Sequence, residues 1–301
     1  MDFNVYDNET IRLIDEVKSH IKRREYHEAL DCIDNTNLDN NPIILMNKAQ
    51  CYLKLKNRNK AEEIYENVIR LCNDEDSFSL MIKGNAFLLL KKYENAIECY
   101  NKVLQLDCNN SMALCFKSTA LLRLNKDDEA NYCFEKLLEI DTDDEYVNLY
   151  KVQYLNSLER YDESLKILDD VLGVYCENYQ AYMLKADALF EKGEIDIAYK
   201  NVNKSLNINP DIAYSWYLKA KIEMERSNYK ISIEDFKKAI SIDSAVDSYW
   251  FDMGSCYINL LNYDKAYDSF KKAFDLNPHS GQIANPDIFL EFIKGLEKIA
   301  L

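Results

Sequence analysis

Apolar residues along this chain recur at spacings of three and four, which is typical of amphipathic helices, in short blocks separated by polar breaks. The segment 179–210 shows two such stripes on either side of a break at 192–194. The stripes comprise Tyr182, Ala186 and Leu189, then Ile195, Ala198, Val202, Ser205 and Leu206. The second stripe ends at Asn209-Pro210, because proline disfavours helical geometry in the residue before it. The block predicts two helices, A and B, joined by a short turn.

Two series of small residues repeat this block along the chain. The first series comprises Ala49, Gly84, Ser118, Ala186, Ala220 and Gly254, and it steps by 35, 34, 68, 34 and 34 residues. The second comprises Ala29, Ala61, Ala96, Ala130, Ser164, Ala198, Ser232 and Ala266. Helix backbones approach closely only where no long side chain separates them, so these residues predict the contact between A and B.

A fixed period of about 34 residues indicates an array of similar units rather than two unrelated domains. Eight units are predicted, at 10–41, 42–76, 77–110, 111–144, 145–178, 179–212, 213–246 and 247–280. We expect one array over 10–278 without a domain boundary, followed by a helix over 286–301. That helix has apolar positions suited to capping the last unit, although docking to another molecule or to a second copy is an open alternative.

The last unit resembles a tetratricopeptide repeat at the positions that define this family. The matching residues are Trp250, Gly254, Tyr257, Tyr263, Ala266, Phe270, Ala273 and Pro278. The resemblance, to single-array proteins of prokaryotes and archaea, implies an all-α, right-handed superhelical solenoid of about eight helix-turn-helix repeats. Six units carry a lysine directly before the small residue, where leucine is commoner in the family: Lys48, Lys83, Lys117, Lys151, Lys185 and Lys219.

Composition narrows the functional classes. The chain has 6 glycines and 4 prolines in 301 residues, too few for many tight hairpins or glycine-rich phosphate loops. Its net charge of −15 opposes nonspecific binding to nucleic acid or to anionic membranes. Residues 1–7 lack a basic segment leading into an apolar one, and no apolar run is long enough to span a bilayer. We therefore expect a cytoplasmic protein with neither nucleic-acid nor membrane partners.

No catalytic or cofactor pattern is visible. The nine cysteines are scattered without a C-x-x-C pair, and three histidines are few for a metal site or a Ser-His-Asp triad. Nucleotide-binding and metalloprotease motifs are absent from the sequence. Carboxylate pairs such as Asp127-Asp128 fall at turns and on B helices, where solvated charge is their expected role. We expect no enzyme activity, no cofactor and no metal.

In the resembled family, ligands bind in a concave groove lined by the A helices. The first groove row is Ile14, Met46, Met81, Cys115, Leu149, Met183, Tyr217 and Phe251. The second row is Lys18, Gln50, Asn85, Thr119, Gln153, Asp187, Lys221 and Ser255. Five of the six internal methionines fall at groove positions: Met46, Met81, Met112, Met183 and Met224. Methionine adapts to varied apolar partners, but packing between A helices explains these residues equally well.

Charges along the predicted groove are sorted by sign. The N-terminal half has Lys18, Lys22, Lys54 and Arg123, and the C-terminal half has Asp187, Glu191 and Glu225, relieved by Lys221. Such a gradient would orient a partner with one acidic and one basic end, although chance sorting of so few charges is a rival explanation. No unit has lysine in the first row, so the Lys-x-x-x-Asn clamp of chaperone-tail binders is absent. Glu223 replaces a usual apolar residue and is either a surface residue or directed at a ligand.

These observations predict a protein- or peptide-binding scaffold or adaptor that uses the groove. Two alternatives stay open. In the first alternative, the chain is a structural protein that self-associates, for example through its C-terminal helix. In the second, it is the regulatory part of a larger enzyme.

Overall fold

A computed structural model describes residues 8–36, 38, 40–283 and 285–300, with side chains described from residue 10 to residue 296 within these ranges. These residues form α-helices and one 3-10 turn, and no strand occurs among them. The N-terminal segment 1–7, Leu301 and the side chain of Ile299 in the predicted cap lie outside the described residues.

The chain folds as two compact units, Met1–Thr142 and Asp143–Leu301. The helices of the first unit are α1 (Asn8–Lys22), α2 (Tyr26–Asp34), α3 (Pro42–Lys54), α4 (Arg58–Leu71), α5 (Ser77–Leu89), α6 (Tyr93–Leu106), α7 (Ser111–Arg123) and α8 (Asp127–Glu139). Those of the second are α9 (Glu145–Ser157), α10 (Tyr161–Val174), α11 (Tyr179–Glu191), α12 (Ile195–Ile208), α13 (Ala213–Glu225), α14 (Tyr229–Ile242), α15 (Asp247–Asn259), α16 (Tyr263–Leu276) and α17 (Pro286–Ala300).

Helices α1 to α16 are paired as the periodicity predicts, with odd-numbered A helices and even-numbered B helices. Within the first unit α1, α3, α5 and α7 contact one another in succession, as do α9, α11, α13 and α15 within the second. No two B helices in the described part of either unit make comparable contacts. The A helices are therefore more closely spaced than the B helices, and each unit curves with its A helices on the inner face.

Every turn between A and B contains one residue in the left-handed region. These residues are Arg24, Lys56, Lys91, Asn125, Glu159, Gly193, Ser227 and Leu261, with φ between 56° and 80°. At Lys91, the backbone N–H donates to the carbonyl of Leu88 at 3.0 Å, and the next N–H, of Lys92, donates to that of Phe87 at 2.9 Å. This pattern closes the A helix. The sequence pattern indicated only the Gly193 turn, because six of the other seven turns use residues that usually avoid this conformation, and only asparagine, at Asn125, adopts it more readily.

At Gly84 and Gly254, two members of the first series, an aromatic ring of the B helix meets the A backbone. A methyl group added at Gly84 would lie 2.6 Å from Cε1 of Tyr100, and one at Gly254 would lie 2.9 Å from Cε1 of Phe270. Phe270 is fully buried, with its ring centroid 5.0 Å from that of Phe251 and 4.9 Å from that of Phe289. Because neighbouring rings leave the Phe270 ring little room to move away, the A helix can carry no side chain at position 254.

Four of the six lysines before the small residues, Lys48, Lys83, Lys185 and Lys219, form ion pairs with an acidic side chain of a neighbouring helix or turn. Nζ of Lys48 lies 2.6 Å from Asp34, and Nζ of Lys83 lies 2.5 Å from Asp74. Lys185 pairs in the same way with Asp169 of the preceding B helix. In these three cases the ion pair joins a repeat to the one before it, so the lysine couples adjacent repeats.

Helix α17 packs along α16 at the end of the second unit. The Phe289 ring lies 4.9 Å from Phe270 and 6.0 Å from Phe274, and Ile293 is buried beside them. Ile288 and Phe292, on the other side of α17, are 64% and 60% exposed. The helix thus covers the last repeat with one face and leaves a smaller apolar strip open. Among the helices of the described residues, none combines the length and apolar character needed to cross a membrane.

The tight contact at Gly254 predicts that Gly254→Ala lowers the free energy of unfolding by about 1–3 kcal/mol, the usual cost of overpacking a core. Urea denaturation followed by circular dichroism measures this change. Gly173→Ala is the matched control in the same unit, because nothing lies within 4 Å of a methyl group added there. That control should be neutral or stabilising by up to about 1 kcal/mol through helix propensity. Equal gains from both substitutions would contradict a close A–B approach.

Candidate binding surface

The residues that the sequence assigns to the inner face of the first unit include half-buried methionines and exposed polar side chains. Met46 and Met81 are half-buried, and Lys18 and Gln50 are exposed. Lys22, Lys54 and Arg123, which the sequence also assigns to the groove, are exposed. Met46 and Met81 also pack against buried core residues of this unit, which supports the packing explanation for them.

Three first-row residues assigned to the groove by periodicity are buried in the fold instead. Ile14 and Cys115 are 0% exposed and Leu149 is 6% exposed. The Cys115 carbonyl also accepts a hydrogen bond from the Thr119 hydroxyl at 3.0 Å. The same helical row therefore contains both buried and half-buried residues, and these three residues offer almost no area to a ligand.

Three further predicted positions, Asn85, Phe251 and Ser255, make contacts within this chain. The Asn85 amide oxygen accepts a hydrogen bond from the Tyr100 hydroxyl at 2.8 Å, although Asn85 stays half-buried. Phe251 is half-buried beneath the turn Ser280–Gln282, where a methyl group added at Gly281 would lie 2.0 Å from its ring. Ser255 donates to the Phe251 carbonyl at 3.3 Å. The C-terminal end of the predicted rows is thus partly covered by this chain.

The second unit has a linked set of tyrosines and aspartates across three successive A helices. The Tyr214 hydroxyl of α13 donates to Oδ1 of Asp187 on α11 at 2.7 Å. The Tyr217 hydroxyl, also on α13, donates to Oδ2 of Asp252 on α15 at 2.9 Å. The ring centroids of the two tyrosines lie 5.9 Å apart, and that of Tyr217 lies 4.8 Å from that of Tyr249. Each hydrogen bond joins neighbouring repeats, and each places a carboxylate beside aromatic rings.

Lys221 is the basic residue that the second unit contributes to this set. Its Nζ lies 3.7 Å from Oε1 of Glu191, 4.7 Å from the Phe190 ring centroid and 5.9 Å from that of Tyr217. Its charge also lowers the pKa of both Asp187 and Asp252. One lysine thus partly compensates three carboxylates. Met183 is half-buried and Gln153 exposed on the same series of A helices.

Burial raises the pKa of Asp187 and of Asp252 above the ordinary aspartate value, despite the hydrogen bonds from the tyrosines and the charge of Lys221. Glu191 raises the pKa of Asp187 further. Burial also raises the pKa values of Tyr214 and Tyr217, and their neighbouring aspartates add to this effect. The local chain therefore leaves the charged forms of both aspartates incompletely stabilised.

Glu223 is not a surface residue, so the first of its two sequence-based interpretations is wrong. It is 3% exposed, and its Oε2 accepts a hydrogen bond from the Asn228 side chain at 2.7 Å. Nη1 of Arg226 lies 3.8 Å from its other oxygen. These partners belong to the turn and start of the B helix, so Glu223 supports the local hairpin.

A second group of polar side chains lies between α1 and α2, where sequence reasoning expected no metal ligands. Among the described residues, potential ligand atoms of Glu16, His20 and Cys32 all lie within 4.8 Å of one another. Cysteine and histidine counts missed this group because its members come from two helices and three residue types. The spacing of Glu16 and His20, one helical turn apart, was the available signal.

Five segments of the chain match family models described as tetratricopeptide repeat: residues 43–75, 78–110, 179–212, 213–246 and 248–280. Together they cover more than half of the chain and coincide with five of the eight units predicted from periodicity. A search of curated proteins finds no match to the sequence.

Solved structures with helical repeats resemble the fold. Human IFIT1, in a dimer with PPP-AAAA, is 19% identical with a TM-score of 0.62, covering 94% of this chain and 73% of that one. PilW, a type IV pilus biogenesis factor, is 20% identical with a TM-score of 0.60, covering 68% and 96%. A tetratricopeptide repeat protein from Parabacteroides merdae is 17% identical with a TM-score of 0.58, covering 85% and 96%. At these identities the likeness establishes the solenoid fold alone.

The raised aspartate pKa values predict that Asp187→Asn and Asp252→Asn each increase stability at pH 7. An aspartate whose pKa is higher in the folded than in the unfolded protein favours unfolding once the pH exceeds the ordinary aspartate value of 3.8. Asparagine removes this penalty and keeps an oxygen that accepts the tyrosine hydrogen bond. The gain in Tm should therefore disappear as the pH falls toward 3.8.

Thermal denaturation at pH 7 and near pH 4 measures this effect. Asp170→Asn is the matched control, because Asp170 is exposed on α10 and its replacement removes the same single charge. If Asp170→Asn gives the same gain, the effect comes from the net charge of −15 rather than from burial.

Proposed function

This chain belongs to the tetratricopeptide repeat family, and we propose that it is an adaptor that binds an extended or helical segment of a partner protein along its A helices. Repeats of this family serve in general as scaffolds for protein interactions and are typically non-catalytic. The finer proposal concerns the inner face of the second unit. There the partner segment places a lysine or arginine side chain beside Asp187 and Asp252, with apolar residues on either side.

The observation that carries the proposal is the pair of half-buried carboxylates on this face. Each receives one tyrosine hydroxyl, and both share the charge of Lys221 with Glu191. A partly desolvated carboxylate without a full countercharge is costly, and a cation brought by a ligand offsets that cost. A basic side chain is thus the complement that this surface lacks.

The aromatic rings strengthen the case for a basic side chain. Tyr217 and Phe190 lie within 6 Å of the ammonium group of Lys221, which supports their rings as contacts for a cation. Met183 supplies an adaptable apolar contact on the neighbouring A helix. A segment with one basic residue between apolar anchors matches this combination of charge and ring.

In the first unit we propose that Met46 and Met81 contact apolar side chains of a partner, with Lys18, Gln50, Asn85 and Thr119 as polar contacts. The exposed Lys22, Lys54 and Arg123 favour acidic residues in whatever segment binds there. The net charge of −15 makes nucleic acid and anionic membranes unfavourable partners, and the IFIT1 likeness concerns fold only. Self-association through the open strip of α17 at Ile288 and Phe292 is the alternative.

Selection from a random phage-displayed peptide library tests the partner class, because it samples many peptide sequences against the whole surface. We expect the wild-type protein to enrich peptides that share an arginine or lysine next to apolar residues. The double variant with Asp187→Asn and Asp252→Asn should lose this basic preference. A synthetic wild-type-selected peptide should bind the double variant about tenfold or more weakly, since charge-assisted hydrogen bonds contribute about 1.5–3 kcal/mol.

Two comparisons make the result specific. Replacing an arginine of the selected peptide by citrulline, or a lysine by norleucine, removes the charge and nearly keeps the shape of the side chain, and this should weaken binding to wild type but not to the double variant. Asp170→Asn combined with Asp268→Asn removes two exposed charges from B helices and should leave affinity unchanged. Enriched peptides that lack a basic residue would contradict the cation assignment. Failure to enrich any peptide, or unchanged binding after Met183→Glu, would contradict binding along the A helices.

A further inference from the structure

The hairpin of α1 and α2 brings together three side chains with the chemistry of metal ligands. Glu16 and His20 are four residues apart on α1, so they lie on the same side of that helix. Cys32 approaches them from α2, with its Sγ 3.9 Å from Oε1 of Glu16. The candidate ligand atoms of all three residues lie within 4.8 Å of one another. The arrangement offers one oxygen, one nitrogen and one sulfur donor to the same point.

We propose that Glu16, His20 and Cys32 form a binding site for a zinc-class divalent transition-metal ion. Thiolate with imidazole favours this class over magnesium and calcium, which prefer oxygen ligands. Zinc bonds of about 2.0–2.3 Å in tetrahedral geometry place ligand atoms about 3.3–3.8 Å apart. The three donors therefore need to approach by about 1 Å, and the exposed side chain of Glu16 has the freedom to do so.

Glu25 orients the histidine in the way that metal-bound imidazoles require. Its Oε2 lies 2.7 Å from Nδ1 of His20, and Nη1 of Arg23 lies 3.3 Å from the same oxygen. With Nδ1 donating to this carboxylate, Nε2 has its lone pair free for a metal. A carboxylate behind a ligating histidine fixes the tautomer and makes the imidazole a better donor. Glu25 is thus a positioning residue for the site.

Metal binding replaces the thiol proton of Cys32 with the ion and releases that proton to solvent, with no change in oxidation state. Three protein ligands leave a fourth position for water. The ion would join α1 to α2 in the repeat where the small-residue and aromatic positions are occupied by Val17 and His20 instead. The bound metal therefore stabilises the least regular hairpin of the array.

Cobalt(II) is the probe for this site, because it substitutes for zinc and absorbs light when bound to thiolate. The full chain, freed of metal by chelation, should bind one Co²⁺ with a thiolate-to-cobalt absorption band in the near ultraviolet, and Zn²⁺ should abolish that band. Cys32→Ser should remove the band, and His20→Gln should weaken Co²⁺ binding at least tenfold. Zn²⁺ should raise the Tm of the wild type and not that of either variant.

Matched controls come from the exposed residues of the same types. Cys108→Ser and His27→Gln should leave the band and the Co²⁺ affinity unchanged, because both residues lie outside the group. Circular dichroism of each variant reports whether the helices are retained. Absence of a thiolate band in the folded wild-type protein overturns the proposal whatever the variants do. A band that persists in Cys32→Ser or disappears in Cys108→Ser overturns it as well.

Discussion

The close approach of each A helix to its own B helix is the contact on which the rest of the structure depends. At Gly84 and Gly254 the A backbone lies directly against an aromatic ring of the B helix, and even a methyl group has no space. Because this contact occupies one side of each A helix, the A helices meet one another along the other side. The direct contacts between successive A helices follow, and so does the curvature that gives each unit an inner face.

That geometry assigns two tasks to residues on the same A helix. Residues directed at the B helix are mostly small or apolar, whereas several of the residues on the other side of the A helix are only half-buried and carry polar groups. The second unit uses this freedom for tyrosine–aspartate hydrogen bonds that join neighbouring A helices. These bonds align the repeats, but the same arrangement desolvates the carboxylates. The interface between repeats and the proposed ligand contact are therefore built from the same atoms.

The sequence was sufficient for the parts of the fold that depend on period alone. The small-residue series predicted the paired helices because every repeat must solve the same packing problem at the same position. The turns were predictable only in part, since Arg24, Lys56 and Leu261 adopt a left-handed conformation that is rare for their residue types. Their position in the repeat, directly after the A helix, imposes the conformation through backbone hydrogen bonds.

The candidate surface was less predictable, for a reason that Cys115 and Tyr217 illustrate. Both occupy the same row of the repeat, yet Cys115 is fully buried and Tyr217 reaches Asp252, 35 residues away. The period defines the side of a helix, but side-chain length and the neighbouring repeat decide whether a position is core, link or surface.

Nearest-neighbour stability explains how the second unit tolerates incompletely compensated carboxylates. In a stacked array each repeat is stabilised by its own hairpin and by the repeats on either side, so a local penalty is spread over several interfaces. Around Asp187 and Asp252 those interfaces include the packed rings of Tyr217, Tyr249 and Phe236. The rings keep the carboxylates of Asp187 and Asp252 partly shielded from water, whereas an aspartate without such neighbours would turn its side chain toward solvent. Preorganised charge of this kind favours binding, because the cost of desolvating the carboxylates is met on folding and a cationic ligand need not supply it again.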